Sequence, residues 1–453
     1  MKRVALYIWL FIAWLFLAGC ATYNDESRAM RTLYAAGEFS EAKSAAEAMN
    51  RSAQGGPDEL LTQLELGKCS FASADAQTAV KAFESVYENA EFFDASGTGA
   101  VDWTQAVLVN PSRLPYTGYN YDRIMAASYM GLCYIELGRK ERAAVAFRRL
   151  LNYQQEAAAA YAKRIDETAD ALAKNRGNSG AVNALASAPS VSAELARHYG
   201  NFDSYIAAKA KFTNPFAHYL TGIFLMHNFQ SLSDKENAIV SLRLADAGTG
   251  ALSEEIAAAQ DSAHGKNAEF RTYVIYECGM ACRRDQFKVD LPLWVFNRNL
   301  PGISASFPYL YKVSCNAKLE VSLDGRRIAL NKIADMDDII TEEFNANLPT
   351  LIYRTLLSVV VKASAQYAGA RAAGDYGVFV NLAGSLYQGI VNNADLRTWT
   401  TLPKTISVAS FKTPSSMVVK INSATVKLKG KNNIIYITLP ATGAPATVRT
   451  FPL

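Results

Sequence analysis

The spacing of apolar positions changes near residue 268. Before it, apolar and alanine positions recur at helical intervals; after it, short alternating or continuous apolar runs take over. In the first part, Ala42, Ala79, Ala143 and Ala238 each stand one turn before Ala46, Phe83, Phe147 and Leu242. Gly37, Ala74, Gly138 and Ser233 occupy the turn upstream, and Gly67 and Gly131 lie twelve residues before Ala79 and Ala143. The pattern predicts helical hairpins, with small residues admitting close approach and aromatic residues filling the gaps. Glycine and proline break it between Phe92 and Tyr121 and again between Lys174 and Ser192, so both stretches read as loops.

In the second part, Arg271–Tyr276, Phe287–Phe296, Lys318–Leu323 and Arg327–Leu330 read as strands, with Asp324-Gly325 as a hairpin turn. Ile340, Phe344, Leu348, Ile352, Leu356 and Val360 then recur at helical spacing, with Pro349 placed to kink or restart the helix. Ala368–Asn393 reads as its packed continuation. Met417–Ile421, Ser423–Leu428 and Asn433–Leu439 return to strand, and Gly430 reads as the last hairpin turn.

The hairpin unit is clearest from Tyr129 through Gly138 to Ala143 and Phe147, and it resembles the tetratricopeptide repeat of 34 residues. Successive units are 37, 64 and 95 residues apart, so the array is irregular. The expected fold is α+β and multidomain. N-terminal α-helical tetratricopeptide-like hairpins (20–265) are followed by a small mixed α+β domain (268–453), with strands in 271–330, helices in 338–393 and strands in 404–439.

Residues 1–19 read as a signal peptide. Lys2 and Arg3 precede an apolar run that ends in Leu17-Ala18-Gly19-Cys20. This resembles a bacterial lipoprotein signal, which implies lipid attachment at Cys20 and a membrane anchor at the mature N-terminus. Ala21 stands where Asp is associated with inner-membrane retention, so the outer membrane, facing the periplasm, is the expected location. The rival is an uncleaved anchor, since Val4–Tyr23 is about the ~20 residues that span a bilayer. No second span is expected, because Arg354 and Lys362 interrupt the apolar clusters after Thr350.

Without Lys2 and Arg3, 44 basic residues face 42 acidic ones, a balance of +2 that gives no argument for nucleic acid. The cluster Arg139, Lys140, Arg142, Arg148 and Arg149 alternates with apolar residues and reads as a solvated helix face. Of the five other cysteines, Cys69 and Cys133 sit in apolar helical patterns and read as buried thiols. Export permits a disulfide involving Cys278 or Cys282, with Cys315 as a competing partner and Gly279 helping a turn. Their spacing, and the scatter of His198, His218, His227 and His264, give no metal site.

Five stretches in this order resemble an uncharacterised family of bacterial envelope lipoproteins with tetratricopeptide-like repeats: Leu114–Arg123, Gly131–Arg149, Asn214–Gly222, Val274–Gly279 and Ala394–Pro403. The resemblance covers most of the mature chain and implies this architecture with no established reaction. One departure is Cys282, where the family pattern favours proline, which counts against a general role for a Cys278–Cys282 bridge.

No phosphate loop, metal-ligating cluster or nucleophile elbow appears, so neither catalytic residues nor a cofactor are expected. Asp335, Asp337 and Asp338 precede a helix and suit its N-terminal dipole. Tyr116, Tyr119, Tyr121 and Arg123 are the candidate partner-binding residues, because aromatic residues and Arg dominate interface hot spots. Asp395, Arg397 and Trp399 are a candidate structural lock: an Asp–Arg pair under an indole at a helix-to-strand junction. Glu277 and Gly279 read as turn chemistry. The expected function is a membrane-anchored scaffold or adaptor for another envelope protein in a periplasmic or cell-wall assembly. The alternatives are a cell-wall polymer hydrolase or transferase, and an accessory subunit of an export or surface-assembly machine.

Overall fold

The computed structural model describes residues 22–95, 111–156, 176–200, 213–264, 269–295, 303–372 and 393–453. The lipobox (Leu17, Ala18, Gly19, Cys20) lies outside the described residues, as do 96–110 of the first expected loop, the 265–268 boundary and 373–392 of the expected helix.

After one helical turn at Tyr23–Glu26, the helices are α1 (Arg28–Ala36), α2 (Phe39–Ala53), α3 (Glu59–Ala72), α4 (Ala76–Ala95), α5 (Asn120–Glu136) and α6 (140–156). They continue as α7 (Arg176–Ala186), α8 (Pro189–Tyr199), α9 (Pro215–Asn228), α10 (Leu232–Asp246) and α11 (Ser253–Ala263). The turns α1–α2, α3–α4 and α5–α6 close alike. Gly37, Ala74 and Gly138 have φ of 80°, 64° and 70°, and the next N–H reaches back to Leu33, Ser70 and Tyr134 carbonyls. This is the Schellman closure, which caps a helix through a left-handed residue. Two of the hairpins share a close approach: a Cβ on Gly67 would lie 2.5 Å from the Phe83 ring, and one on Gly131 2.6 Å from the Phe147 ring. At Gly222, Leu242 takes the place of the aromatic residue. The expected turn at Ser233 lies instead inside α10, whose start is capped by Ser231 accepting from the Asp234 N–H.

Strands β1 (Arg271–Met280), β7 (Pro403–Lys412), β10 (Asn433–Leu439), β6 (Asn331–Asp335) and β11 (Thr447–Pro452) form a five-stranded sheet in the order β11-β10-β1-β7-β6. Its central pair β1–β10 is parallel; the other pairs are antiparallel. The alternation of side chains sorts the two faces. Tyr273, Ile275, Ile434 and Tyr436 join the core of the helical hairpins. Val274, Tyr276, Ile435 and Ile437 face the small sheet of β4 (Val321–Leu323), β5 (Arg326–Ile328), β8 (Val418–Ile421) and β9 (Ala424–Lys427). Helices and the main sheet therefore share one continuous core, the helical part N-terminal and the sheets C-terminal.

A second core joins α7, α8, the hairpin β2 (Arg283–Leu291)–β3 (Ile303–Tyr311) and α12 (Met336–Ala372). Residues 176–186 and 189–192 are therefore helical, joined by a turn at Ser187–Ala188, contrary to the loop expected there. Pro189 starts α8, and Val182, Leu185 and Val191 supply a buried face that the glycines masked in the sequence pattern. Pro349 does not interrupt α12. The part Met336–Ala365 is long and apolar enough to cross a bilayer by length and composition alone, a test that a buried core helix also passes. In this fold Phe344, Leu348, Leu356 and Val360 pack into the second core. Asp324-Gly325 turns β4 into β5 as expected, both residues with positive φ. Gly430 does not close a hairpin: β9 pairs with β8 and β10 with β1 and β11, in different sheets.

Candidate functional site

The expected junction residues lie where the helical and sheet parts meet. Arg397 is buried and donates to both oxygens of Asp395 (Nε–Oδ1 2.8 Å, Nη2–Oδ2 2.7 Å), to Asp58 Oδ1 at 3.1 Å and to the Leu114 carbonyl at 2.8 Å. Burial alone would raise the Asp395 carboxyl; the Arg397 guanidinium holds it below the usual carboxylate value. Trp399 is fully buried, donates from Nε1 to Thr401 Oγ1 at 3.0 Å and packs on Phe83 and Tyr129. The ring near the guanidinium is Tyr116 at 5.6 Å, which corrects the expected pairing with the indole.

Tyr116 and Tyr121 are 4% and 2% exposed, so they do not form the surface expected of them. Tyr119 stacks on Tyr121 and also packs against Tyr116, and Tyr116 donates to Asp122 at 2.6 Å. The composition that marks interface hot spots is also that of a packed aromatic core, and the start of α5 is buried between the two halves. Arg123 is half-buried beside them. Glu343 of α12 caps α5, accepting from the Asn120 and Tyr121 N–H groups at 3.0 and 3.3 Å.

Sequence reasoning missed the interior charges. Glu277, expected in a turn, lies within β1 and faces the helices with Tyr273 and Ile275. Its carboxylate accepts from Lys68 Nζ at 2.7 Å, Tyr129 Oη at 2.5 Å and Tyr436 Oη at 2.6 Å. Lys68 and Glu277 side chains are 0% and 1% exposed, and Lys68 also lies 4.0 Å from the Tyr129 ring centroid. Burial pulls the Lys68 ammonium below the usual lysine value even with Glu277 against it. One turn earlier, buried Glu65 accepts from the N–H and hydroxyl of Thr400 (2.7 and 2.6 Å), from Thr401 Oγ1 (2.6 Å) and from Tyr23 Oη (3.3 Å). The signal was present: Lys68 interrupts an apolar helix, and Glu277 falls on the inward parity of an otherwise apolar strand. These groups satisfy one another across the interior, so they join α3 to the sheet.

The disulfide joins Cys278 to Cys315. Of the alternatives left open by the sequence, Cys278 therefore takes Cys315, and Cys282 has no part in the bond: it is a buried thiol whose N–H donates to Asp337 Oδ1 at 2.6 Å, and burial pushes the thiol up to about 12. Gly279 is likewise in β1, with φ 75°, and a Cβ there would lie 2.7 Å from Cys315 Cβ. Cys69 and Cys133 are buried thiols, as expected.

Two cavities open beside these elements. One, of about 340 Å³, borders the disulfide and is lined by Arg28, Arg31 and Arg283. The other, of about 240 Å³, lies between α12, β3 and the Ala394–Asp395 segment, with Tyr119, Arg284 and Arg354 on its walls. Among the described residues no group of His, Cys, Asp and Glu is placed to hold a metal ion. Comparison with protein-family models, curated proteins and solved structures gives no match to this chain.

Proposed function

We propose that the protein is an envelope lipoprotein, anchored through Cys20, that holds another envelope protein on a rigid helical body in a periplasmic or cell-wall assembly. The observation that carries this reading is the position of Tyr23. Its ring is buried and its hydroxyl reaches Glu65, while Asn24 donates to the Arg284 carbonyl at 2.7 Å. Cys20 is three Cα steps from Tyr23, at most about 11 Å of extended chain. A lipid on Cys20 would therefore hold the body at the bilayer surface, not on a long tether. Two or more acyl chains anchor stably where one does not.

Tetratricopeptide-like packing belongs to the same reading. The Gly67–Phe83 and Gly131–Phe147 contacts and the shared Schellman turns support it. With Tyr116 and Tyr121 buried and Tyr119 and Arg123 half-buried, the binding surface moves to exposed apolar side chains. Leu232 (77% exposed), Val240 and Leu244 lie on α10, and Val145 on α6.

Metabolic lipid labelling with native purification after in-cell crosslinking tests the reading. Wild type takes up label and brings down one stoichiometric partner; Cys20→Ala loses the label. Labelling that persists in Cys20→Ala defeats the anchor, and turnover of wall fragments with no partner favours the enzyme alternative.

A further inference from the structure

The cavity beside α12 is bordered by a buried cation, Arg284, whose charge Asp395 and nearby tyrosines favour but whose guanidinium donors find no acceptor among the described residues. Arg284 is 4% exposed, and its guanidinium lies 4.4 Å from the Tyr119 ring centroid and 5.4 Å from that of Phe344. Among the described residues that guanidinium makes no hydrogen bond and no ion pair, and its Nε is buried without a partner. A guanidinium carries five N–H donors in a planar fork and stays charged. Burying one without an acceptor is among the costlier arrangements in a protein interior. The carboxylates close by are engaged elsewhere: Asp395 by Arg397, Glu343 by the start of α5.

The surroundings carry two arginines and the Asp395 carboxylate, itself paired with Arg397, on one side and are apolar on the other. Arg354 shares the cavity, and Lys362, two turns further along α12, is 6% exposed with no ion pair among the described residues. Pro308, Phe344, Leu351 and Val359 form the apolar wall, and Asn347 and Ser306 add neutral polar groups. The volume is below the ~300–1,000 Å³ of typical small-molecule sites, which limits the occupant to a small molecule.

We infer that this cavity binds a small organic carboxylate, its two oxygens on the Arg284 fork and its apolar body against Phe344, Leu351 and Val359. The planar fork matches a carboxylate in two parallel hydrogen bonds. A free phosphate would use the cation and leave the apolar wall uncovered. The inference stands apart from the scaffold reading, since it needs neither the anchor nor the α10 surface.

Isothermal titration of the full chain in detergent with 3-phenylpropionate, 3-phenylpropionamide and inorganic phosphate tests it. The acid is expected to bind more tightly than the amide by about tenfold or more, the scale of one charge-assisted hydrogen bond. Arg284→Met and Leu351→Trp should each abolish that binding. Leu351→Trp fills the cavity and leaves Arg284 in place, so it decides the matter if Arg284→Met does not fold. Four outcomes overturn the inference: no binding of the acid, equal binding of acid and amide, acid binding that survives Leu351→Trp, or phosphate binding tighter than the acid.

Discussion

Burial raises the Asp122 carboxyl to about 7, against hydrogen bonds from the Tyr116 hydroxyl and the Tyr119 N–H that pull it down. The folded protein thus keeps a proton that the unfolded chain loses near pH 4. This contribution to stability is complete below pH 4 and is lost as the pH rises toward 7. His218 and His227 act in the opposite sense: burial lowers both to about 4, so their contribution is lost as the pH falls from about 6.5 to 4. The Asp122→Asn variant separates the two. It keeps an oxygen for Tyr116 and cannot titrate, so its urea midpoint should gain on wild type steadily between pH 4 and 7. A constant difference over that range would remove the Asp122 proton from the account. At this scale the sequence was legible where partners are close in the chain, as with Asp395 and Arg397. It was not legible for Arg284, because its neighbours Tyr119, Phe344 and Asp395 come from distant segments.

Between elements, the hairpins depend on small residues at crossing points. Gly67→Ala and Gly131→Ala would each drive a Cβ into a phenylalanine ring and should destabilise by about 1–3 kcal/mol in chemical denaturation, the usual cost of overpacking. Phe83→Leu should recover part of the Gly67→Ala loss, since it removes the atoms in collision. Ala74 makes the same Schellman turn with a side chain that disfavours it, so Ala74→Gly should raise stability by up to about 1 kcal/mol. The helical spacing of Ala79, Phe83, Ala143 and Phe147 made these hairpins readable, because each helix pair is local in sequence. Strand order was not readable. The parallel β1–β10 pair joins residues far apart in the chain, and the short β6 and β11 lack a pattern of their own.

The whole molecule is joined by charges in its interior. Lys68→Met leaves Glu277 buried without its cation and should cost about 3–5 kcal/mol in urea unfolding. Adding Glu277→Gln should return part of that loss, because the uncompensated charge goes with it. An additive double mutant would mean that the pair does not couple α3 to the sheet. This joining makes the helices and main sheet one body, and the buried Tyr23 brings that body to within a few residues of Cys20. The most direct test of a tethered binding body is site-specific photocrosslinking in living cells from Leu232 and Leu244. A scaffold gives one discrete crosslinked product from both positions, and that product disappears when Cys20→Ala abolishes anchoring. The absence of any discrete product from either position, in cells where the protein is lipid-labelled and folded, would contradict it.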